Sequence, residues 1–272
     1  MADMSNPFYI STISGDAENA AREYGFGLEI AEFCTAYNMD SSLNATFPSV
    51  SDCGDHEFIF GFEMNDKLVR EKMRGTRHFI FHAPFNELCP AAIDPLIAEV
   101  ARKRYAQAYS IMDGYGIKKM VAHSGFVPQV YYPQWFVGKS VSFWQEFLSD
   151  KPDDFRLYLE NVLEDSPDML IEIAEKVGDD RFRLCLDIGH AAIIGPETPL
   201  TEWIERMLPL LGHVHLHNNN GKRDTHNSPH DGVIDVASII SMLRSTAPEI
   251  TFTLEVMNAL ESAQWIKANG FI

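Results

Sequence analysis

Two stretches decide how this chain is read: Phe182–Ala191, FRLCLDIGHA, and Gly212–Asn219, GHVHLHNN. Each is a short apolar run that ends in ionisable side chains, Asp187 and His190 in the first, His213, His215 and His217 in the second. A strand covered on both faces is apolar almost throughout. Side chains along a strand alternate between its faces, so the three histidines share one face and Val214 and Leu216 the other. Working outward, similar runs occupy Phe8–Thr12, Phe26–Phe33, His78–Phe85, Lys118–Phe126, Phe155–Val162 and Ile250–Val256, which makes eight runs in all.

Helix-like segments separate them. Leu96–Gly114 repeats apolar residues at i, i+3 and i+4 and ends in glycine. Ser166–Gly178 opens with Ser166 as an N-cap and Pro167 at the first helical position. Thr201–Leu211, Val236–Ser245 and Asn258–Gly270 read the same way. Strands that alternate with helices predict an α/β fold, a single (β/α)8 TIM barrel over residues 1–272 with parallel strands and outer helices. An open doubly wound sheet is the alternative, and it is disfavoured because no GxGxxG follows the first strand. The polar segment Thr35–Glu63 follows the second strand, which puts it on the active face as a lid, a substrate loop or surface decoration.

Composition narrows the function. The chain has 272 residues, 22 basic and 39 acidic, for a net charge of −17. That field repels nucleic-acid phosphates and suits a small substrate or one bound through metals, although it also serves plain solubility. No run reaches the ~20 apolar residues of a membrane span, and no secretory signal opens the chain. Cys34, Cys53, Cys89 and Cys185 are widely spaced without a CxxC pair, as for reduced thiols in a cytoplasmic protein.

Barrel chemistry collects at the C-terminal ends of the strands. There the sequence places His82, His123, Glu160, Asp187 with His190, the His213–His217 series and Glu255, with Asp224 and His226 just beyond the seventh run. One such histidine alone is more often a hydrogen-bonded structural residue than a ligand. Six consecutive runs finishing this way is another matter, because burying so many ionisable groups costs several kcal/mol each unless divalent cations compensate. Asp187 and His190 at i and i+3 can aim at neighbouring ions from a short turn, and Asp224 and His226 at i and i+2 can chelate one. Mixed imidazole and carboxylate donors suit zinc or manganese, with iron also admissible, and no strand-end cysteine suggests a structural zinc site.

The series HAPF, AHSG, LEN, LDIGH, HVHLHNN, DTH and LEV resembles the xylose isomerase-like barrel superfamily from Phe26 to Val256. HVHLHNNNGKRDTH followed by HDGVID is similar to the seventh-strand region of its sugar phosphate isomerases/epimerases. The resemblance implies an isomerase-type metal site of Glu160, Asp187, His215 and Glu255. It also implies the further ligands of an endonuclease IV-like three-metal cluster at His82, His123, His190, Asp224 and His226, so that one to three ions are expected. His213 and His217 would line the pocket or support the ligands.

On this basis the expected function is a metal-dependent sugar or sugar phosphate isomerase/epimerase working through an enediolate. Glu160 and Glu255 would be base and acid. Asn161, His190, His217 and Lys222 would bind substrate oxygens, while Phe85, Phe126, Trp135 and Phe136 offer apolar walls or simple packing. The alternative is an endonuclease IV-like phosphodiesterase. The full ligand set favours it. The charge of −17, the scarcity of basic residues beyond Lys139, Lys222 and Arg223, and a Thr35–Glu63 segment unlike that family's DNA-reading loop disfavour it. A third reading is metal binding without catalysis. The partner is a small carbohydrate rather than nucleic acid or membrane, and a homodimer is left open.

Overall fold

The computed structural model describes residues 7–40 and 61–272. Strands β1 Phe8–Ser11, β2 Gly27–Ile30, β3 Phe79–His82, β4 Lys119–His123, β5 Arg156–Glu160, β6 Phe182–Asp187, β7 Leu211–Leu216 and β8 Thr251–Leu254 pair in chain order, all parallel. β8 pairs with β1 through Phe8–Phe252, Tyr9–Thr253 and Ile10–Leu254, which closes the barrel. An open sheet is thereby excluded. Helices α1 Ala17–Tyr24, α2 Ala36–Met39, α3 Phe62–Lys72, α4 Pro95–Gly114, α5 Pro133–Leu148, α6 Asp168–Val177, α7 Ile188–Ile194, α8 Leu200–Met207, α9 Val236–Thr246 and α10 Ala259–Ala268 lie between and after the strands.

Strand alternation divides the apolar residues into two cores. On β6, Phe182, Leu184 and Leu186 join the large core between strands and helices, as do Val214 and Leu216 on β7. The opposite face points into the barrel, where Tyr9, Ile80, Val121, Tyr158 and Cys185 form a separate small cluster. Cys185 is thus a buried hydrophobe, and Cys34, Cys89 and Cys185 are all free thiols. Above that cluster the interior becomes polar, with Glu29, His82, Glu160, Asp187, His213, His215 and Thr253 all buried. None of the helices among the described residues is long and apolar enough to cross a membrane.

Local rules explain most helix ends. The Asp94 carboxylate accepts from Leu96 N at 2.8 Å, and Pro95 fits the first turn of α4, so the helix starts one residue before the predicted Leu96. Asp235 caps α9 by accepting from Ser238 N at 3.1 Å. Ser166 is not an N-cap: α6 begins at Asp168 after Pro167, which is itself in helical geometry and offers no side-chain cap. The predicted Thr201–Leu211 helix stops at Met207, and Leu211 already belongs to β7. Helices α1, α3, α5 and α7 were not singled out by the sequence pattern. Of Thr35–Glu63, residues 41–60 lie outside the described residues, so its reading as a lid does too.

Gly27 shows how tightly the interior is filled. A Cβ there would overlap the Tyr9 ring and lie 2.8 Å from the His78 carbonyl oxygen. Gly27→Ala is therefore expected to destabilise the fold by about 1–3 kcal/mol, the usual range for overpacking. Urea unfolding midpoints of the two proteins measure it.

Candidate metal centre

The strand ends bring together every ligand candidate named from the sequence. The central group is Glu160, Asp187, His215 and Glu255, from β5, β6, β7 and the residue just after β8. His215 Nδ1 lies 3.2 Å from Glu160 Oε1, 3.4 Å from Glu255 Oε2 and 3.8 Å from Asp187 Oδ2. A second group, His82, His123 and Glu160, shares the β5 carboxylate: Glu160 Oε2 stands 3.5 Å from Nε2 of both histidines. A third group joins His190, His217, Asp224 and His226, with Asp224 Oδ2 3.2 Å from Nε2 of both His190 and His226.

Backbone and side-chain contacts aim these rings. His82 Nδ1–H donates to Ala83 O at 2.9 Å, His190 Nδ1–H to Asn161 O at 3.0 Å and His226 Nδ1–H to Glu255 O at 2.8 Å. Each bond leaves Nε2 facing the carboxylates. The short turn expected after β6 is helix α7, and Asp187 caps it by accepting from His190 N at 2.7 Å. One residue thus ends the strand, starts the helix and faces the ligand cluster. The Asn161 amide is engaged on both sides with the Asp187 backbone, at 3.0 and 2.8 Å, so it clamps β5 to β6 rather than standing free for substrate. His226 adopts φ 47°, a left-handed conformation uncommon outside glycine, which turns its ring back toward the barrel. His217 Nε2 lies 3.0 Å from Asp187 Oδ1, and its ring stacks on His226 with centroids 4.2 Å apart. Residue 189 must be glycine for this, because a Cβ there would fall within the His217 ring.

The electrostatics show strong coupling. Burial alone would raise the Glu160 pKa, but His215 and His123 hold it well below the usual carboxylate range. Burial likewise opposes ionisation of Asp187, and His190 and His217 bring it down to about 2. Burial pushes His123 down to about 4. It would do the same to His226, but the hydrogen bond to Asp224 and the charge of Glu255 raise that imidazole to about 9.

These donors fit a divalent cation. Charge-assisted N–H···O bonds shorten to about 2.7–2.9 Å, whereas the imidazole–carboxylate distances in the central and second groups run from 3.2 to 3.8 Å. Ligand bonds of about 2.0–2.2 Å around a tetrahedral ion separate its donors by roughly 3.4 Å. Glu160 Oε2 is fully buried with no hydrogen-bond partner among the described residues, and so is His217 Nδ1. Such orphaned atoms are costly unless something unseen satisfies them.

The other candidates divide. Phe85 stacks on the His123 ring at 4.4 Å and, with Phe126, lines a hollow of about 320 Å³ beside His123. Phe136 is fully buried in the core, edge-on to Phe126 at 5.1 Å, so its role is packing. Trp135 is 42% exposed on α5 beneath the Lys139 ammonium, and it does not line that hollow. Lys222 is exposed on the loop that leads to Asp224. Sequence reasoning missed Glu29, a fully buried β2 carboxylate 3.2 Å from His215 Nε2. Its signal was a lone acidic residue inside the apolar GLEI strand.

Comparisons show what the chain and its fold are similar to. An uncharacterized protein of Methanocaldococcus jannaschii is 24% identical over 212 residues, 74% of this chain and 72% of that protein. The structure of a D-tagatose 3-epimerase-like protein superposes with a TM-score of 0.73 at 21% identity, covering 96% of each chain. A Thermus thermophilus protein soaked with zinc chloride gives 0.72 at 20% identity, covering 97% of this chain and 98% of that one. The sequence model of one family matches residues 17–269, and the chain accordingly belongs to the xylose isomerase-like TIM barrel family.

Proposed function

We propose that this chain is a divalent-metal-dependent isomerase or epimerase of a small carbohydrate, a sugar or sugar phosphate. The observation that carries the reading is the pairing of Glu160 and Glu255 about one imidazole. They come from different walls of the barrel, β5 and the end of β8, yet lie 3.2 and 3.4 Å from the same His215 Nδ1. The epimerase-like neighbour and the zinc-soaked neighbour support it.

Glu160, Asp187, His215 and Glu255 would hold the ion, and their mixed donors suit zinc or manganese. When bound, such an ion polarises the substrate carbonyl and its neighbouring hydroxyl. One carboxylate would take the proton from the carbon beside that carbonyl, leaving an enediolate, and the other, entering as its carboxylic acid with a proton drawn from solvent, would return one. Return to the opposite face of the same carbon epimerises the sugar, and return to the adjacent carbon isomerises it. His190, His217 and Lys222 are the substrate-oxygen partners in this scheme. Phe85 and Phe126 form its apolar wall, with Trp135 at the outer rim.

A second reading, phosphoester hydrolysis at several ions, is favoured by one observation: the His82–His123–Glu160 and His190–His217–Asp224–His226 groups flank the central one, and Glu160 belongs to two of the three. Against a nucleic-acid substrate stands the net charge of −17.

Incubating manganese-loaded protein with a panel of ketoses in D2O should introduce deuterium at a carbon next to the carbonyl, seen by NMR. No exchange with any ketose, together with cleavage of an abasic-site oligonucleotide, would transfer the assignment to hydrolysis. Glu160→Gln and Glu255→Gln should each slow exchange by about 10²-fold or more. Metal uptake should also depend on pH. The His226 imidazole keeps its proton up to about 9 in the metal-free protein, against an ordinary value of 6.5. Between those values a bound ion must displace that proton, so affinity rises with pH and binding releases protons. Zinc titration calorimetry in buffers of different ionisation enthalpy measures the release. A pH-independent affinity between pH 6.5 and 9 would contradict the assigned charge state.

A further inference from the structure

We infer that Glu29 is a positioning residue that fixes the ring and proton of His215, so that His215 offers Nδ1 to the ion whereas His82, His190 and His226 present Nε2. The inference rests on the metal-site reading above and concerns a residue outside its ligand set.

The histidines differ in how they are held. His82, His190 and His226 each spend Nδ1–H on a backbone carbonyl, which the fold supplies without any special side chain. His215 is turned the other way. Its Nδ1 faces Glu160, Glu255 and Asp187, and its Nε2 lies 3.2 Å from Glu29 Oε2. Both ring nitrogens of His215 meet carboxylates, and the one from the far side of the interior takes the role that a backbone carbonyl plays for the others. A ligating imidazole normally donates its other N–H to such a partner, which sets the tautomer and raises ligand basicity.

The groups beneath Glu29 place it to accept. Thr253 Oγ1 lies 2.8 Å from the same Oε2, and an ionised carboxylate has no hydrogen, so the threonine hydroxyl donates. Having spent its only hydrogen, Thr253 must accept from His213 Nε2–H at 2.9 Å. His213 Nδ1 then accepts from Thr251 Oγ1 at 2.8 Å. The whole chain from Thr251 to Glu29 is consistent with one proton arrangement, and it leaves Glu29 Oε2 as the acceptor for His215 Nε2–H. Burial is complete for Glu29, His213, His215 and Thr253, so water does not compete for these positions. Position 29 of the apolar strand GLEI carries a carboxylate whose Oε1 has no partner among the described residues, and whose Oε2 gives His215 Nε2–H its acceptor.

The test is zinc affinity, measured by chelator competition on metal-free wild type, Glu29→Ala and Glu29→Gln, with circular dichroism to establish folding. Glu29→Ala should weaken binding by about 10–100-fold, the cost typical of losing a ligand's supporting partner. Glu29→Gln keeps a carbonyl acceptor and should recover most of that loss. Wild-type affinity in a folded Glu29→Ala, or a Glu29→Gln as weak as Glu29→Ala, overturns the inference while leaving the metal site intact. Failure of the wild type to bind zinc removes both. If neither variant folds, 15N NMR of imidazole nitrogens in the zinc-loaded wild type decides. Coordination of His215 through Nδ1 with its proton on Nε2 supports the assignment, and its coordination through Nε2 overturns it.

Discussion

Mutual repulsion among Glu160, Asp187 and Glu255 is the constraint on which the upper half of this barrel depends. Their carboxylates meet around His215 at the ends of β5, β6 and β8. Desolvation alone would leave such groups protonated. Each is instead held ionised by the imidazoles beside it. Imidazolium protons can balance only part of this charge in so small a volume. A divalent ion does more, because it accepts several carboxylates at once and needs the imidazoles neutral.

That constraint reshapes the usual barrel interior. Layers of branched apolar side chains ordinarily fill the inside of a (β/α)8 barrel. Here only a small cluster, with Tyr9, Tyr158 and Cys185 among its members, does so, and the next layer up is already His213, Thr253 and Glu29. Stability must therefore come chiefly from the strand–helix layer, where Trp144 and Trp203 are fully buried and where Tyr105, Phe143 and Phe147 pack edge-on against Trp144. The division of labour is physical: the outer core holds the strands, and the strands hold charges that oppose folding. Asn161 and Gly189 serve this directly, one by tying β5 to β6 through the Asp187 backbone and the other by leaving room for the His217 ring.

How much of this was legible in the sequence follows from the same alternation. A strand residue's direction is fixed by parity, so His82, His123, Glu160, Asp187 and His215 could be assigned to the barrel mouth from position alone. Asp224 and His226 could be linked to them only through the motif, since a loop has no parity, and it is the φ of 47° at His226 that returns its ring to the cluster. Glu29 escapes a reading of run ends, because it sits inside its own apolar run. Parity would have found it, two residues after Gly27 on the same inward face. Phe136 shows the opposite case. On a helix, neighbouring residues point in different directions, and proximity to a strand end in sequence leaves the Phe136 ring buried in the core while Trp135 is exposed.

The hollow beside His123 joins this charge balance to substrate choice. Phe85, Leu88, Ile97, Phe126 and Tyr131 contribute to its lining, and it opens next to a histidine of the second donor group. One side of the mouth is thus densely ionised and the other is apolar. A sugar matches such a division, because its hydroxyls and carbonyl can face the donors while its C–H surface lies on an aromatic ring. Phe85, stacked on His123 at 4.4 Å, joins the two sides: a ring of the apolar wall also packs on a histidine of the second donor group. A nucleic-acid backbone asks for the reverse arrangement, cations spread along a groove. The exposed Lys222 and Arg223 on the loop before Asp224 form no such row, and the net charge of −17 works against one. The apolar half of the mouth thus suits the small carbohydrate proposed above, and the ionised half suits the proposed ion.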